Sequence, residues 1–217
     1  MPPALSTYAL VSVEEAKAHL LTPGPGQDGF LEQAINRASD LIEAYLDRQI
    51  VTRGELTEYH SMATRGSPVY SENLYVLQWP ILTVTSVHED TAWPRTYAAG
   101  VLLVVGTGYE LAKAKGLIRR LGSGGPTHWA TGSRAIRVLY GAGVANTAAV
   151  PARIKAVAHR LVANIKGEME RKAHGILAQS DSLGNFTRFG PSTLTDDMKA
   201  DLASERRMEM SWTGEAA

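Results

Sequence analysis

The chain has 217 residues, of which 44% are apolar, so it is long enough to bury a substantial hydrophobic core. Lys and Arg together number 22, as do Asp and Glu, so no sequence-wide positive field exists to hold nucleic acid. The absence of cysteine excludes disulfides, thiolate metal sites and cysteine nucleophiles, and no segment reaches the roughly 20 apolar residues of a membrane span.

Residues 1–50 are predicted to form the first part of a helical bundle. Ser12 and Glu15 have the spacing of a capping box, which predicts a short helix that ends near Leu21. A Pro- and Gly-rich break follows. A second helix is predicted from about Asp28 to Leu46, because apolar residues recur there at helical spacing. We interpret this apolar stripe as core packing rather than as a cofactor site.

Residues 51–147 are predicted to form a β-rich insertion with a barrel or sandwich architecture. Short segments rich in Val, Thr, Tyr and Leu alternate there with Gly and Pro, and closing a sheet leaves fewer unpaired edges. The clearest predicted strands are Asn73 to Gln78, Leu82 to His88, Val101 to Val105, Leu117 to Leu121 and Ala135 to Tyr140.

Residues 148–217 return to helical patterns. A long helix is predicted from about Pro151, with an apolar face that packs on the second helix. A polar loop, Gln179 to Pro191, then leads to a last helix from about Thr195 to Arg207, whose first turn is acidic. The fold class is therefore α+β, a bundle of about four helices carrying an inserted β domain between its second and third long helices.

The motifs that carry chemistry in other proteins are incomplete in this chain. The turn from Gly141 to Asn146 follows a strand, as a dinucleotide-binding turn does, but Asn146 replaces the expected small residue and no helix follows directly. The histidines show no metal-ligating spacing, and no serine-hydrolase elbow is present. We therefore predict no enzymatic activity and no catalytic, cofactor-binding or metal-ligating residue.

Two alternatives remain open from the residues alone. One is a nucleotide-dependent enzyme that uses Gly141 and Gly143. The other is a receptor- or carbohydrate-binding β module, which requires Trp79, Trp93, Trp129 and the Tyr residues to form one exposed aromatic platform.

Several stretches, in their shared order, resemble the head-tail connector, or adaptor, family of tailed bacteriophages. The helical opening is followed by a segment that ends Tyr45-Leu46-Asp47-Arg48. An aromatic-proline step, Trp79-Pro80, leads into a Val-Thr-Ser-Val strand, and Tyr140-Gly141-Ala142-Gly143 precedes the long helix. The part from Ser182 to Phe189 is similar to the ending of the family.

The resemblance implies a structural subunit of the virion neck, made in the cytoplasm of the bacterial host. It implies a ring of twelve copies beneath the portal protein, with a stopper or tail-completion protein below. DNA passes through the centre without sequence-specific binding, and no membrane is involved.

We predict that the loop and the C-terminal tail make the contacts with neighbouring subunits or the portal. For the apolar residues of the last helix, packing on their own subunit is the alternative, and for the end of the tail, disorder is the alternative. The candidate contact residues are Arg188, Phe189, Leu194, Met198, Leu202, Arg206, Arg207, Met208, Met210 and Trp212.

Overall fold

The computed structural model describes residues 4–21, 24–62, 71–98, 101–173, 179–180, 186–187 and 193–206. The chain divides into two compact units. Met1–Asp47 and Val150–Ala217 form the helical unit, and Arg48–Ala149 forms the β unit. The predicted α+β class, with a β-rich insertion in a helical sequence, is confirmed. None of the helices in the described ranges has the length and apolar character needed to cross a membrane.

The first helix, α1, spans Val13–Leu20 and has the capping box that the sequence predicts. The Ser12 hydroxyl accepts a hydrogen bond from the Glu15 amide at 3.1 Å, and a carboxylate oxygen of Glu15 accepts one from the Ser12 amide at 2.9 Å. Two amide groups that the helix itself leaves unpaired are therefore satisfied.

The second and third helices form the core of the helical unit. α2 spans Asp28–Leu46 and α3 spans Ala152–Ala173, and their apolar faces pack on each other, so the predicted packing is confirmed. Covering each large apolar side chain contributes about 1.5–3 kcal/mol, so this contact dominates the stability of the unit. The buried residues of the two faces are Leu31, Ala34, Ile35, Ala38, Ile42, Leu46, Ile154, Val157, Ala158, Leu161, Val162 and Ile165.

The last helix is shorter than predicted. α4 spans Asp196–Leu202, and a 3₁₀ turn, Ala203–Glu205, follows it, whereas the sequence pattern predicted one helix to Arg207. α4 packs on α3, and its two buried side chains are Met198 and Leu202.

The β unit contains two antiparallel sheets. The strands are β1 (Glu55–Met62), β2 (Asn73–Tyr75), β3 (Ile81–Glu89), β4 (Leu102–Leu103), β5 (Tyr109–Ala112), β6 (Leu117–Gly122), β7 (Gly125–Pro126) and β8 (Gly132–Ala142). The sheet orders are β1-β8-β3-β4 and β2-β6-β5, with β7 paired to β6. All five predicted strands are present, but β1, β5 and β7 were not among them.

Both sheets contribute side chains to one core. Leu74, Tyr109 and Ile118 come from the second sheet, and Val87 and Val138 come from the first. Because the two sheets share this core, the insertion has the sandwich-like architecture that the sequence predicts.

The helical unit contains one further pair of strands. β9 (Gln179–Ser180) and β10 (Phe186–Thr187) pair antiparallel within the segment predicted to be a polar loop. The loop prediction is therefore wrong for these four residues.

Candidate interaction surface

The glycine turn after β8 is explained by close packing of the backbone. Gly143 has a φ of +91°, and a Cβ atom added there would lie 2.5 Å from the carbonyl oxygen of Ile50. The Gly143 amide donates to Pro80 O at 2.9 Å, and the Val144 amide donates to Ile50 O at 2.7 Å. These amides are the groups that a pyrophosphate would need, and both already have partners within the chain.

The tryptophans of the β unit do not form one exposed aromatic platform. Trp129 is only 2% exposed, and the guanidinium of Arg48 lies 3.8 Å from the ring centroid of Trp79. Trp93 alone is largely exposed, at 84%. The condition that the carbohydrate-binding alternative requires is therefore not met.

Histidines of the described ranges serve in packing and polar contacts. The rings of His19 and His159 stack with their centroids 4.9 Å apart. Nε2 of His60 lies 2.9 Å from a carboxylate oxygen of Glu58. Within these ranges, no group of three or more metal-ligating side chains comes together.

Only four of the ten predicted contact residues lie in the described part of the chain. Met198 and Leu202 are buried in their own helical unit, and Leu194 is half-buried. Arg206 is exposed, and its guanidinium lies 5.7 Å from the ring centroid of Tyr45. The other six, Arg188, Phe189, Arg207, Met208, Met210 and Trp212, lie outside the described residues.

The outward side of α4 is acidic. The side chains of Asp196, Asp197 and Asp201 are 100%, 78% and 51% exposed. Lys199 lies 3.2 Å from Asp196, and Arg160 forms an ion pair with Asp201 and lies 3.8 Å from Asp197. Such exposed pairs are weak, so a partner can compete for these carboxylates at little cost.

A second surface, on the outer side of the first sheet, combines tyrosine and arginine. The strand register places Tyr59 of β1 opposite Arg137 of β8. The guanidinium of Arg134 lies 4.1 Å from the Tyr59 ring centroid, and that of Arg137 lies 4.8 Å from the Tyr97 ring centroid. The two tyrosine rings are 5.5 Å apart. We call these four side chains the Tyr-Arg face.

Two residues of the Tyr-Arg face have unusual backbone conformations. Tyr97 has a φ of 49° and Arg134 a φ of 51°, and neither ends a helix. The hydroxyl of Tyr97 donates to the Arg134 carbonyl at 2.6 Å, which ties the two together. Positive φ is uncommon for residues with a side chain, and it persists only where the surrounding contacts fix it.

The part of the β3–β4 loop from Asp90 to Tyr97 is held by one carboxylate. Asp90 accepts hydrogen bonds from the amides of Ala92, Thr96 and Tyr97, each at 2.9 Å. The hydrogen bond from the Tyr97 amide is the largest cause that lowers the pKa of Asp90; burial acts to raise this pKa, and the amides of Thr96 and Ala92 and the charge of Arg95 lower it further. Asp90 therefore stays ionised and fixes the loop that also presents Trp93.

Arg95 attaches the same loop to the start of β8. Its guanidinium donates to Ser133 O at 2.8 Å, to Ala92 O at 3.2 Å and to the Asp90 carbonyl. All three acceptors are backbone oxygens, so the contact fixes the path of the chain.

His88 lies beside Arg137 on the neighbouring strand β3 and stays neutral. The imidazole is buried, and its two nitrogens are 3.3 and 3.4 Å from Nη2 of Arg137. Burial and the charge of Arg137 both lower the pKa of His88. A neutral His88 adds no second positive charge next to Arg137.

Neither arginine of the Tyr-Arg face forms an ion pair with a carboxylate among the described residues; their ring contacts are with tyrosine. In that same part of the chain, Nε of Arg137 is buried without a hydrogen-bond partner. Arg134 is exposed and Arg137 is half-buried, so a partner reaches the terminal N–H groups rather than the buried Nε. A guanidinium stacked on an aromatic ring can present its terminal N–H groups to a planar oxyanion, so this face can bind carboxylates or phosphates.

Sequence reasoning missed the Tyr-Arg face, although one signal was present. Arg137 alternates with the apolar residues Ile136 and Val138 in β8, which predicts that its side chain points outward. Its neighbour Tyr59 lies on β1, a strand that was not predicted.

Comparison with known proteins finds similarity in structure but not in sequence. No protein-family model matches the chain, and no curated protein matches it. A chain from the virion of a native gene transfer agent (GTA) particle matches with a TM-score of 0.56 and 17% identity, over 98% of this chain and 96% of that chain.

Two further matches come from neck structures. A chain from the neck of an empty GTA particle, computed with C6 symmetry, has a TM-score of 0.52 and 16% identity, over 96% of each chain. A chain from the neck of a native GTA particle, computed with C12 symmetry, has a TM-score of 0.51 and 16% identity, over 95% of this chain and 93% of that chain. The resemblance recognised in the sequence is confirmed at the level of the fold.

Proposed function

We propose that this chain is a structural subunit of the neck of a tailed phage or phage-like particle, where it forms a ring. The observation that carries the proposal is the whole-chain match to two neck structures, covering at least 95% of this chain and extending through both units. A match confined to one unit would support only a shared domain. A match across helices and β insertion together supports a shared architecture.

One of those necks was computed with C12 symmetry and the other with C6, and a ring of twelve copies satisfies both, which supports twelve copies in the ring of this chain. A ring of identical subunits uses two different surfaces of each copy, one facing each neighbour. The acidic side of α4 and the Tyr-Arg face belong to different units and are available as two such surfaces.

In this role the ring lies beneath the portal protein, above a stopper or tail-completion protein, and DNA passes through its centre. The balance of 22 basic and 22 acidic residues is consistent with a conduit, because strong phosphate contacts would hold the DNA in place. The subunit works by association rather than catalysis, and the glycine turn contributes close packing.

The mass of the assembly tests this proposal. The purified chain is measured by native mass spectrometry alone and with the portal protein of the same particle, and both samples are imaged by electron microscopy. We expect closed rings of twelve copies on the portal. Monomers that do not bind the portal, or open filaments, would contradict the proposal.

A truncated variant separates the tail from the helical unit. A chain that ends at Arg206 keeps Met198 and Leu202, which are buried in the unit, and loses the predicted contacts Arg207, Met208, Met210 and Trp212. We expect this variant to remain folded and to bind the portal more weakly. If the truncated variant binds the portal as tightly as the full-length chain does, these four residues are not part of the contact.

A further inference from the structure

The Tyr-Arg face has the composition of a protein-binding surface. Trp, Tyr and Arg are the residues that most often dominate the energy of protein-protein contacts. The face supplies Tyr59, Tyr97, Arg134 and Arg137, and the loop that carries Tyr97 also presents Trp93, which is 84% exposed. Aromatic rings flanked by guanidinium groups suit a partner whose surface presents carboxylates.

The face is also preorganised. Asp90 and Arg95 hold the loop through backbone hydrogen bonds, and the Tyr97 hydroxyl is bonded to the Arg134 carbonyl. Little further ordering is needed when a partner binds, so less of the interaction energy is lost to conformational entropy.

The distribution of charge indicates which partner fits. Residues 48–149 contain ten Lys and Arg but six Asp and Glu, whereas the rest of the chain contains twelve Lys and Arg but sixteen Asp and Glu. The β unit therefore has a formal charge of +4 and the helical unit one of −4, although the whole chain is neutral. Two copies attract each other when the β unit of one meets the helical unit of the other.

We propose that the Tyr-Arg face binds the acidic outer side of α4 in a second copy of this chain. Arg134 and Arg137 pair with Asp196 and Asp197 of the neighbour, and Trp93 packs beside them. The contact joins two different surfaces, so repeating it closes a ring or extends a filament. This inference rests on the proposed ring and names the surfaces that build it.

Nucleic acid fits the same surface less well. The Tyr-Arg face contributes two guanidinium groups, and affinity for a phosphate backbone scales with the number of phosphates that are neutralised. The acidic excess of the helical unit has no role in such binding, whereas it is the complement that a second copy supplies.

A charge reversal with a matched control tests the contact. Arg134→Glu together with Arg137→Glu reverses the face, and Lys113→Glu together with Lys115→Glu makes the same change in charge at exposed positions elsewhere in the β unit. Self-association of each full-length chain is followed by sedimentation velocity, on its own and on the portal. Thermal melting checks that every variant is folded.

We expect reversal of the face to weaken self-association by about tenfold or more, as for loss of a central arginine pair. The Lys113 and Lys115 control should associate like the wild type. Adding Asp196→Arg and Asp197→Arg to the reversed chain should restore association, because the two charge patterns are then exchanged.

Each contrary result overturns a specific part of the inference. Equal association of the reversed chain and the wild type overturns the role of the face, as does an equal loss in the control. Failure of the Asp196 and Asp197 exchange to restore binding overturns the assignment to α4. Unchanged self-association with loss of duplex DNA binding, measured by fluorescence anisotropy, assigns the face to nucleic acid instead.

A different result would contradict the proposed ring itself. If the wild-type chain forms no assembly with or without the portal, the ring itself is wrong. If the wild type forms rings and the reversed chain forms the same rings, the ring stands and only the assigned contact is wrong.

Discussion

Replacing Glu58 should destabilise the β unit, because its carboxylate satisfies several groups at the inner side of β1. The Leu77 amide lies 3.0 Å from both carboxylate oxygens, and the buried Tyr140 hydroxyl donates to one of them. Tyr140 in turn accepts the Gln78 amide at 3.0 Å. The side chain of Glu58 is only 10% exposed, so water replaces few of these contacts.

The expected cost follows from the groups left without partners. A buried hydroxyl that loses its acceptor costs about 1–3 kcal/mol, and the exposed Leu77 amide costs less because water reaches it. We therefore expect Glu58→Ala to lower the free energy of unfolding by about 2–4 kcal/mol. Glu58→Gln keeps one acceptor and should cost roughly half as much.

The destabilisation should depend on pH. Burial acts to raise the pKa of Glu58, but His60, the Tyr140 hydroxyl and the Leu77 amide outweigh it, so the folded-state pKa lies below 4.5. The carboxylate therefore contributes stability that is fully present above the unfolded-state pKa and is lost as pH falls through the lower, folded-state pKa. The difference between wild type and Glu58→Gln should shrink below about pH 4.5.

Urea unfolding followed by tryptophan fluorescence measures this effect, since buried Trp129 reports on the β unit. Glu110→Gln is the matched control, because Glu110 is half exposed and, within the described part of the chain, its carboxylate pairs with Arg119 alone. That change should cost less than about 1 kcal/mol. A Glu58→Gln penalty that stays constant from neutral pH to below pH 4 would refute the assignment of the stability to the ionised carboxylate.

Three further changes probe other parts of the molecule. Gly143→Ala should lower the melting temperature markedly, because the added Cβ meets Ile50 O at 2.5 Å, and nucleotides should not raise the melting temperature of the wild type. Leu202→Ala should cost about 2–5 kcal/mol in dilute, unassembled protein, since Leu202 is fully buried in its own unit. Asp90→Ala should expose Arg95 to trypsin, because three amides lose the acceptor that fixes the loop.

A specific result would contradict each of these three predictions. A Gly143 variant that melts like the wild type would show that the backbone can move away from Ile50. A Leu202 variant that is unaffected when dilute but loses assembly would place that side chain at an interface. Unchanged protection of Arg95 in the Asp90 variant would mean that the other contacts, including those of the Arg95 guanidinium with backbone oxygens, are enough to hold the loop.

The helical part of the fold was well predicted because its signals are local. The capping box and the apolar stripes depend on spacing within a few turns, and the structure confirms them from Ser12 to Leu46. The end of α4 was predicted too late. Its charge pattern extends to Arg207, but the apolar contacts with α3 end at Leu202, and packing rather than charge holds such a short helix.

The strand β1 was missed because only half of its inward positions are apolar. Leu56, Glu58, His60 and Met62 face inward, and two of the four are polar. An alternating hydrophobic pattern is therefore absent. The polar pair is tolerated because Glu58 meets the Tyr140 hydroxyl, a residue far away in the sequence, and no local rule finds such a partner.

The Tyr-Arg face was missed because it depends on contacts between residues that are far apart in the sequence and on unusual backbone conformations. Those conformations also favour a binding function for the face. Tyr97 and Arg134 have positive φ, and backbone strain of this kind costs on the order of 1–3 kcal/mol per residue. Tyr59 is 42% exposed, so burial on this face offsets little of that cost. Glycine would relax the strain at both positions, yet it would remove one ring and one guanidinium. Asp90 fixes the loop that holds strained, half-buried Tyr97 and exposed Trp93 next to strained, exposed Arg134. Such an arrangement contributes less to folding than to binding, which is the property that a subunit interface requires.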